Sequence, residues 1–292
     1  MQGTVDDYSY GVVTPLVAFV MACLGGALGL RCTTRALLVT HSRRRAWLAL
    51  GSAAIGSGIW TMHFVAMLGF RIEGAAIQYD QPITYASLGL AIVMVGVGLF
   101  IVGHRGATGT AVFTGGTITG LGVASMHYLG MAGMRFDGRF TYSTATVAAS
   151  VLIAVVAATA ALWAAGRVRG LLWSVGASLV MGLAVTGMHY TGMAALRVHL
   201  HSASAGAEGG PSVSVLVPMM IGPLAFLLLA GVVMMFDPLM VMGRPAQAPV
   251  EDKPGVPAAA VASHLARHAQ LHPGRRPAGQ PRPHVSRTPQ NR

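Results

Sequence analysis

Seven long apolar runs, separated by short clusters of charge, leave this chain one class of fold. They cover about residues 12–30, 47–70, 84–102, 111–134, 145–165, 171–196 and 213–236. Each is near the roughly 20 residues needed to cross a bilayer as a helix. Only 10% of the 292 residues are charged and 53% are hydrophobic, whereas an average soluble domain carries about 25% charged residues. Lipid offers backbone groups no hydrogen-bond partner, so such runs fold as helices. The alternating pattern of a membrane β-barrel strand is absent. The expected fold is an all-α membrane protein with seven transmembrane helices.

Charge orders these segments. Arg31, Arg35, Arg43, Arg44, Arg45, Arg105, Arg167 and Arg169 fall on one side without an acidic residue among them. On the other side, Arg71, Arg135, Arg139 and Arg197 stand with Asp6, Asp7, Glu73, Asp80, Asp137 and Glu208. Positive loops stay in the cytoplasm, so the N-terminus is expected outside and the C-terminus inside. Asp6 and Asp7 precede the first run with no basic residue, unlike the start of a cleaved signal peptide, so the first segment is expected to remain as an anchor. Residues 1–11 then form a short extracytoplasmic N-terminus, and residues 12–243 form the membrane domain.

The chain changes character at about Arg244. Nine prolines and few large apolar residues in the last 49 positions read as a disordered basic cytoplasmic tail over 244–292. His264, His268 and His272 in this tail read as a solvated tract rather than a metal site. The net charge of +11 divides into +5 before Arg244 and +6 from there on. Membrane topology and anionic headgroups of an inner membrane account for the helix-flanking arginines without a nucleic-acid partner.

One stretch occurs three times within the apolar runs. It reads Thr61-Met62-His63-Phe64-Val65-Ala66-Met67, then Ser125-Met126-His127-Tyr128-Leu129-Gly130-Met131, then Gly187-Met188-His189-Tyr190-Thr191-Gly192-Met193. The histidines are 64 and 62 residues apart, a near-constant period longer than that of common solenoid repeats. A glycine stands seven residues before each histidine (Gly56, Gly120, Gly182), and an arginine stands eight after (Arg71, Arg135, Arg197). The architecture is thus three helix-pair repeats plus a seventh helix, with the motif on the second helix of each pair. All three motif helices run in the same direction and carry the motif at one depth near the outer face. The glycines are expected to let neighbouring helices approach closely.

A histidine in a membrane helix is costly unless it faces a partner. Each one here has a methionine four residues later, on the same helix face. Met62, Met126 and Met188 lie about a quarter turn away and reach toward neighbours. Imidazole with thioether suits copper, since thioethers select Cu(I). Magnesium would need oxygen ligands. Zinc is less favoured without thiolate or carboxylate, and haem, held by two axial ligands, ranks below copper. The alternative for each residue is packing, with methionine as gap-filler and histidine bonded to a neighbouring hydroxyl. Phe64, Tyr128 and Tyr190 read as packing residues, with a tyrosine hydroxyl available to orient a ligand.

The third copy spells Met188-His189-Tyr190-Thr191 in full, and with Met126-His127-Tyr128-Leu129 and Met62-His63-Phe64-Val65 the chain resembles the MHYT domain, a bacterial seven-helix membrane sensor domain, over residues 10 to 240. The resemblance implies a copper site near the outer membrane face and sensing of oxygen, carbon monoxide or nitric oxide. Its ligand roles carry over to Met62, His63, Met67, Met126, His127, Met131, Met188, His189 and Met193. Relatives often continue into domains that make or hydrolyse cyclic di-GMP. This sequence shows no stretch suited to a catalytic domain, so direct enzymatic output is not expected, and a cytoplasmic signalling partner is.

A copper-handling protein, for transport or for delivery to an oxidase, is the alternative. It needs a second metal station, for which Cys23, Cys32, His41 and His104 are scattered candidates. The two cysteines stand roughly 13 Å apart along one helix, too far for a disulfide. A membrane oxidoreductase would need a proton route, and no carboxylate falls mid-membrane. Lys253, in the tail, is the only lysine, so no retinal Schiff base can form within the membrane.

Overall fold

The computed structural model describes residues 2–6, 9–39, 41–167, 171–200 and 213–236. The tail with His264, His268 and His272, and also Asp7, Arg169 and Glu208, lies outside the described residues, as does the side chain of His41. In chain order the elements are β1 (Gln2–Gly3), β2 (Val5–Asp6), α1 (Val13–Leu38), α2 (His41–Met67), β3 (Arg71–Ile72), β4 (Gln78–Tyr79) and α3 (Gln81–Arg105). These are followed by α4 (Gly109–Ala132), β5 (Met134–Arg135), β6 (Gly138–Tyr142), α5 (Thr144–Arg167), α6 (Leu171–Ala194), β7 (Leu196–Leu200) and α7 (Val213–Met235). Each apolar run yields one helix. Six of the seven are long and apolar enough to cross a membrane, which makes this a multi-pass membrane protein. The exception is α4, which matches the others in length but is diluted by Gly115, Gly116, Thr117, Thr119, Gly120 and Gly122.

Helices α1 to α6 pack in chain order around a closed ring, each against the next and α6 against α1, while α7 lies outside against α2 and α1. The three motif helices, α2, α4 and α6, therefore alternate around the ring. The glycines seven residues before the histidines make the seams between repeats. A Cβ on Gly56 would lie 2.8 Å from the Ile92 backbone of α3, and one on Gly120 would lie 2.4 Å from that of Val155 on α5. One on Gly182 would meet the Cys23 sulfur of α1 at 2.4 Å. The third seam closes the ring, and in membranes such close backbone approach supplies much of the helix association.

The helix ends differ from the apolar runs in two ways. At the arginine-rich end, α1 and α3 run on to Leu38 and Arg105, and α2 starts at His41. Arg31, Arg35, Arg43, Arg44 and Arg45 thus sit on helices rather than in a loop, because arginine is a good helix former and its stem lies on apolar surface. Arg35 and Arg167 rest over the Trp47 and Trp163 rings at 5.6 and 4.9 Å. At the opposite end the motif helices stop early, at Met67, Ala132 and Ala194. Phe70, Met134 and Leu196 continue the apolar pattern because they are buried, outside any helix.

Arg71, Arg135 and Arg197 consequently lie on strands β3, β5 and β7 rather than on a further helical turn. Those strands pair with β2, β4 and β1 respectively, and β7 pairs also with β6, all antiparallel. The N-terminal residues 2–6 are thereby tied over the helix ends. Three equivalent backbone bonds fasten the ends of the repeats. Ser9 N–H donates to Gly69 O at 3.1 Å, Asp80 N–H to Gly133 O at 2.8 Å and Ser143 N–H to Ala195 O at 2.9 Å.

Asp80 caps α3, accepting from the Ile83 N–H at 3.2 Å, and pairs with Arg135 at 3.0 Å. The Ile83 amide first, then the Arg135 guanidinium, hold its carboxyl below the usual carboxylate range. The stabilisation is therefore present above the ordinary value of 3.8 and is lost as pH falls through the lower folded-state value. Asp80→Asn is expected to lower the thermal midpoint at neutral pH and to flatten that acid limb, as read by melting in detergent. Gly120→Leu, which drives a side chain into the α5 backbone, is expected to destabilise by about 1–3 kcal/mol or more, measured in the same way.

Candidate metal centre

The ring brings His63, His127 and His189 to its axis. Each is 1% exposed. Their Nδ1 atoms face one another, with His63–His189 at 3.0 Å, His63–His127 at 3.2 Å and His127–His189 at 3.3 Å. The rings stand edge to face, with centroids 5.0, 5.0 and 5.1 Å apart. The arrangement is close to three-fold symmetric, as three repeats at one depth require.

Three nitrogens at these distances cannot satisfy one another. A hydrogen bond needs one donor and one acceptor, and a neutral imidazole carries one N–H. Around an odd ring, donors and acceptors cannot alternate, so at least one edge sets lone pair against lone pair or N–H against N–H. A cation at the centre removes this conflict by accepting all three lone pairs. A triangle with edges of 3.0, 3.2 and 3.3 Å has its centre about 1.8 Å from each corner, near the roughly 2.0–2.1 Å of a metal–imidazole bond. The three histidines can hold a metal ion, and among the described residues no other group of three or more His, Cys, Asp or Glu does so.

Glycine makes room for this convergence. A Cβ on Gly130 would lie 2.6 Å from His63 Nε2, and one on Gly192 would lie 2.5 Å from His127 Nε2. His63 and His127 are thus wedged against the backbone of the next motif helix, at the position three residues after that helix's own histidine. Ala66 occupies this position in the first repeat. The sequence carries the signal in the recurring small residue, but nothing local says that it faces another repeat's histidine. His63 and His127 Nε2 are buried without a protein partner. A cation that took the three Nδ1 lone pairs would leave the proton of each imidazole on Nε2.

All six motif methionines, Met62, Met67, Met126, Met131, Met188 and Met193, are buried in one core cluster. Met188 lines an apolar cavity on the ring interior. Met131 lines a cleft near the strands together with Met134, Arg135, Phe136 and Phe140. Phe64, Tyr128 and Tyr190 each pack edge-on against the histidine that precedes them, at 4.6, 4.8 and 5.0 Å. The Tyr128 hydroxyl bonds Ser150 Oγ of α5 at 2.7 Å rather than a histidine. Above the membrane helices, burial raises the Tyr142 hydroxyl to about 12.

Among the described residues, Cys23, Cys32 and His104 do not assemble into a second station. Cys23 and Cys32 are free cysteines. Cys32 meets the sulfur of Met234 on α7 at 3.9 Å, and Cys23 packs at the Gly182 seam. His104 turns its Nδ1 to the Phe100 carbonyl at 2.9 Å, one turn back on its own helix.

Comparison with known proteins agrees with the repeats. The MHYT profile, described as the bacterial signalling protein N-terminal repeat, matches residues 56–115 and 120–178. The bifunctional diguanylate cyclase/cyclic di-GMP phosphodiesterase MucR of Pseudomonas aeruginosa is 37% identical over 207 residues, covering 69% of this chain and 30% of that protein. The cyclic di-GMP phosphodiesterase NbdA of the same organism is 36% identical over 206 residues, covering 67% of this chain and 26% of that protein. The signalling protein YkoW of Bacillus subtilis is 28% identical over 207 residues, covering 68% and 26%. The matched region thus spans less than a third of each of these relatives. No solved structure matches the chain. With three motif copies on alternating helices of one ring, the chain belongs to the MHYT family.

Proposed function

We propose that this chain is a membrane signalling module of the inner membrane that binds copper at the triad and responds to a diatomic gas: oxygen, carbon monoxide or nitric oxide. The observation that carries the reading is the convergence of three buried Nδ1 atoms within 3.3 Å of one another. His63, His127 and His189 would hold the ion through Nδ1. The thioethers of Met62, Met67, Met126, Met131, Met188 and Met193 provide the soft surroundings that favour Cu(I). Bound copper supplies an electron-rich centre with affinity for diatomic ligands. The residues around it exclude water and fix the imidazoles: Gly130 and Gly192 by close approach, Phe64, Tyr128 and Tyr190 by edge-on packing.

The chain is read as crossing the membrane seven times. Helix α4 is the seventh crossing, since it packs between the two apolar helices α3 and α5. The strand-bearing end is assigned outside and the arginine-bearing end inside by the charge rule, with residues 1–11 extracytoplasmic and 244–292 cytoplasmic. The family profile describes a signalling repeat, and MucR and NbdA are cyclic di-GMP enzymes by name. Both facts support a signalling output, which here passes to a cytoplasmic partner. Copper transport or delivery is the weaker reading, because only one metal-capable cluster is found among the described residues.

The test is copper content and carbon monoxide infrared spectra of the purified full chain against His63→Ala, His127→Ala and His189→Ala. Each variant is expected to lose most of its copper, since the site needs all three imidazoles; copper retained in full by any one variant contradicts a shared site. Gly192→Val is expected to lower copper affinity by about tenfold or more although it replaces no ligand residue, because it displaces the His127 ring. Unchanged affinity in that variant would contradict the wedged-imidazole geometry.

A further inference from the structure

The ring encloses an apolar cavity of about 40 Å³ directly beneath the triad. Its walls follow the repeat. Ile59, Val123 and Val185 stand one turn before His63, His127 and His189, and Ile55, Thr119 and Met181 stand two turns before; all six line the cavity. Met188, next to His189, completes the contact with the triad layer. The only polar side chain in the wall is Thr119, and its hydroxyl is turned to the Met94 carbonyl at 3.4 Å.

The void has a local cause. Helices α3 and α5 correspond at an offset of 63 residues, which pairs Ser87 with Ser150 and Leu99 with Leu162. At the same offset, Val95 of α3 is matched by Ala158 of α5. Both face the cavity, and the smaller side chain leaves space that its counterpart fills.

A second feature meets the first. A cleft of about 430 Å³ lies between α5 and α6, bordered by the exposed side chains of Trp163, Trp173 and Val180. Cleft and cavity share Ala157, Ala161 and Met181 as a common wall. The cleft opens where apolar side chains face the bilayer, so what enters comes from hydrocarbon. Two alanines form a thin wall, and methionine is the most adaptable of the apolar side chains.

We infer that this cavity is a docking site for a single small apolar gas molecule, filled from the bilayer through the α5–α6 cleft past Met181. A cavity without polar partners holds no ordered water but takes up apolar guests, xenon included. Its volume suits a diatomic and little more. Apolar gases concentrate in hydrocarbon relative to water for the same reason that apolar side chains are buried. Resting on the gas-responsive reading of the triad, the cavity supplies the ligand from the membrane side of the histidines, one helical turn from their rings.

Xenon binding to the metal-free full chain in detergent, followed by xenon-129 NMR, tests the cavity without copper. The wild type is expected to show one saturable site that Ala158→Val weakens by about tenfold or more. That substitution installs the residue the repeat already carries at Val95, and retention of the wild-type circular dichroism shows that it folds. Absence of a saturable site, or a site that Ala158→Val leaves unchanged, overturns the proposal. In the copper-loaded chain, carbon monoxide recombination after flash photolysis is expected to slow in Ala158→Val and quicken in Met181→Ala. Equal rates in all three proteins overturn the route. A wild type that binds xenon in the cavity yet takes up no carbon monoxide contradicts the gas reading of the triad while leaving the cavity established.

Discussion

Three imidazole nitrogens within 3.3 Å of one another in a protein interior cannot all be satisfied by hydrogen bonds among themselves, and a cation on the axis would relieve the conflict. The rest of the molecule is arranged to hold this unfavourable cluster together. Each histidine sits near the end of its helix, four residues before the last residue in α2 and five before it in α4 and α6. The strands that follow at once, β3, β5 and β7, are each held by pairing, with β2, with β4, and with β1 and β6, so the three helix ends cannot splay. Below the triad, the Gly56, Gly120 and Gly182 seams draw successive repeats to backbone contact. The cluster is held from both sides.

The three-fold arrangement also explains why the ring has six helices rather than three. Interleaving α1, α3 and α5 fills the outer spaces and gives every motif helix two neighbours. The repeats are not identical where they meet, and the differences are informative. Ala66 stands where Gly130 and Gly192 do, and Ala158 stands where Val95 does. The first adds a methyl group at the motif's small position and the second is the absence of two methyls beside a cavity.

Most of the fold was legible in the sequence because hydrocarbon imposes length and polarity on every crossing. Seven runs gave seven helices, and the recurrence of histidine at a near-constant period implied one depth. What could not be read was lateral. Nothing in the spacing of Gly182 and Cys23 says that they touch, and that contact is what closes the ring and lets His189 face His63. The helix ends were misplaced for a physical reason: Phe70, Met134 and Leu196 remain apolar because strands and loops cover them, and hydropathy does not distinguish that burial from a membrane. The arginines eight residues after each histidine recur at a fixed spacing, but nothing in that spacing shows that they lie on paired strands. The motif methionines are buried in one core cluster, but that Met188 lines the cavity and Met131 the cleft follows from three-dimensional packing that a four-residue spacing does not encode.

The measurement that bears most directly on this account is X-ray absorption at the copper edge on the full chain purified from membranes. The account predicts copper bound in the protein with a first shell dominated by three imidazole nitrogens at about 2.0 Å, lost when the three histidines are replaced together. A protein that takes up no copper, or a metal whose shell keeps its nitrogens after that replacement, would contradict it.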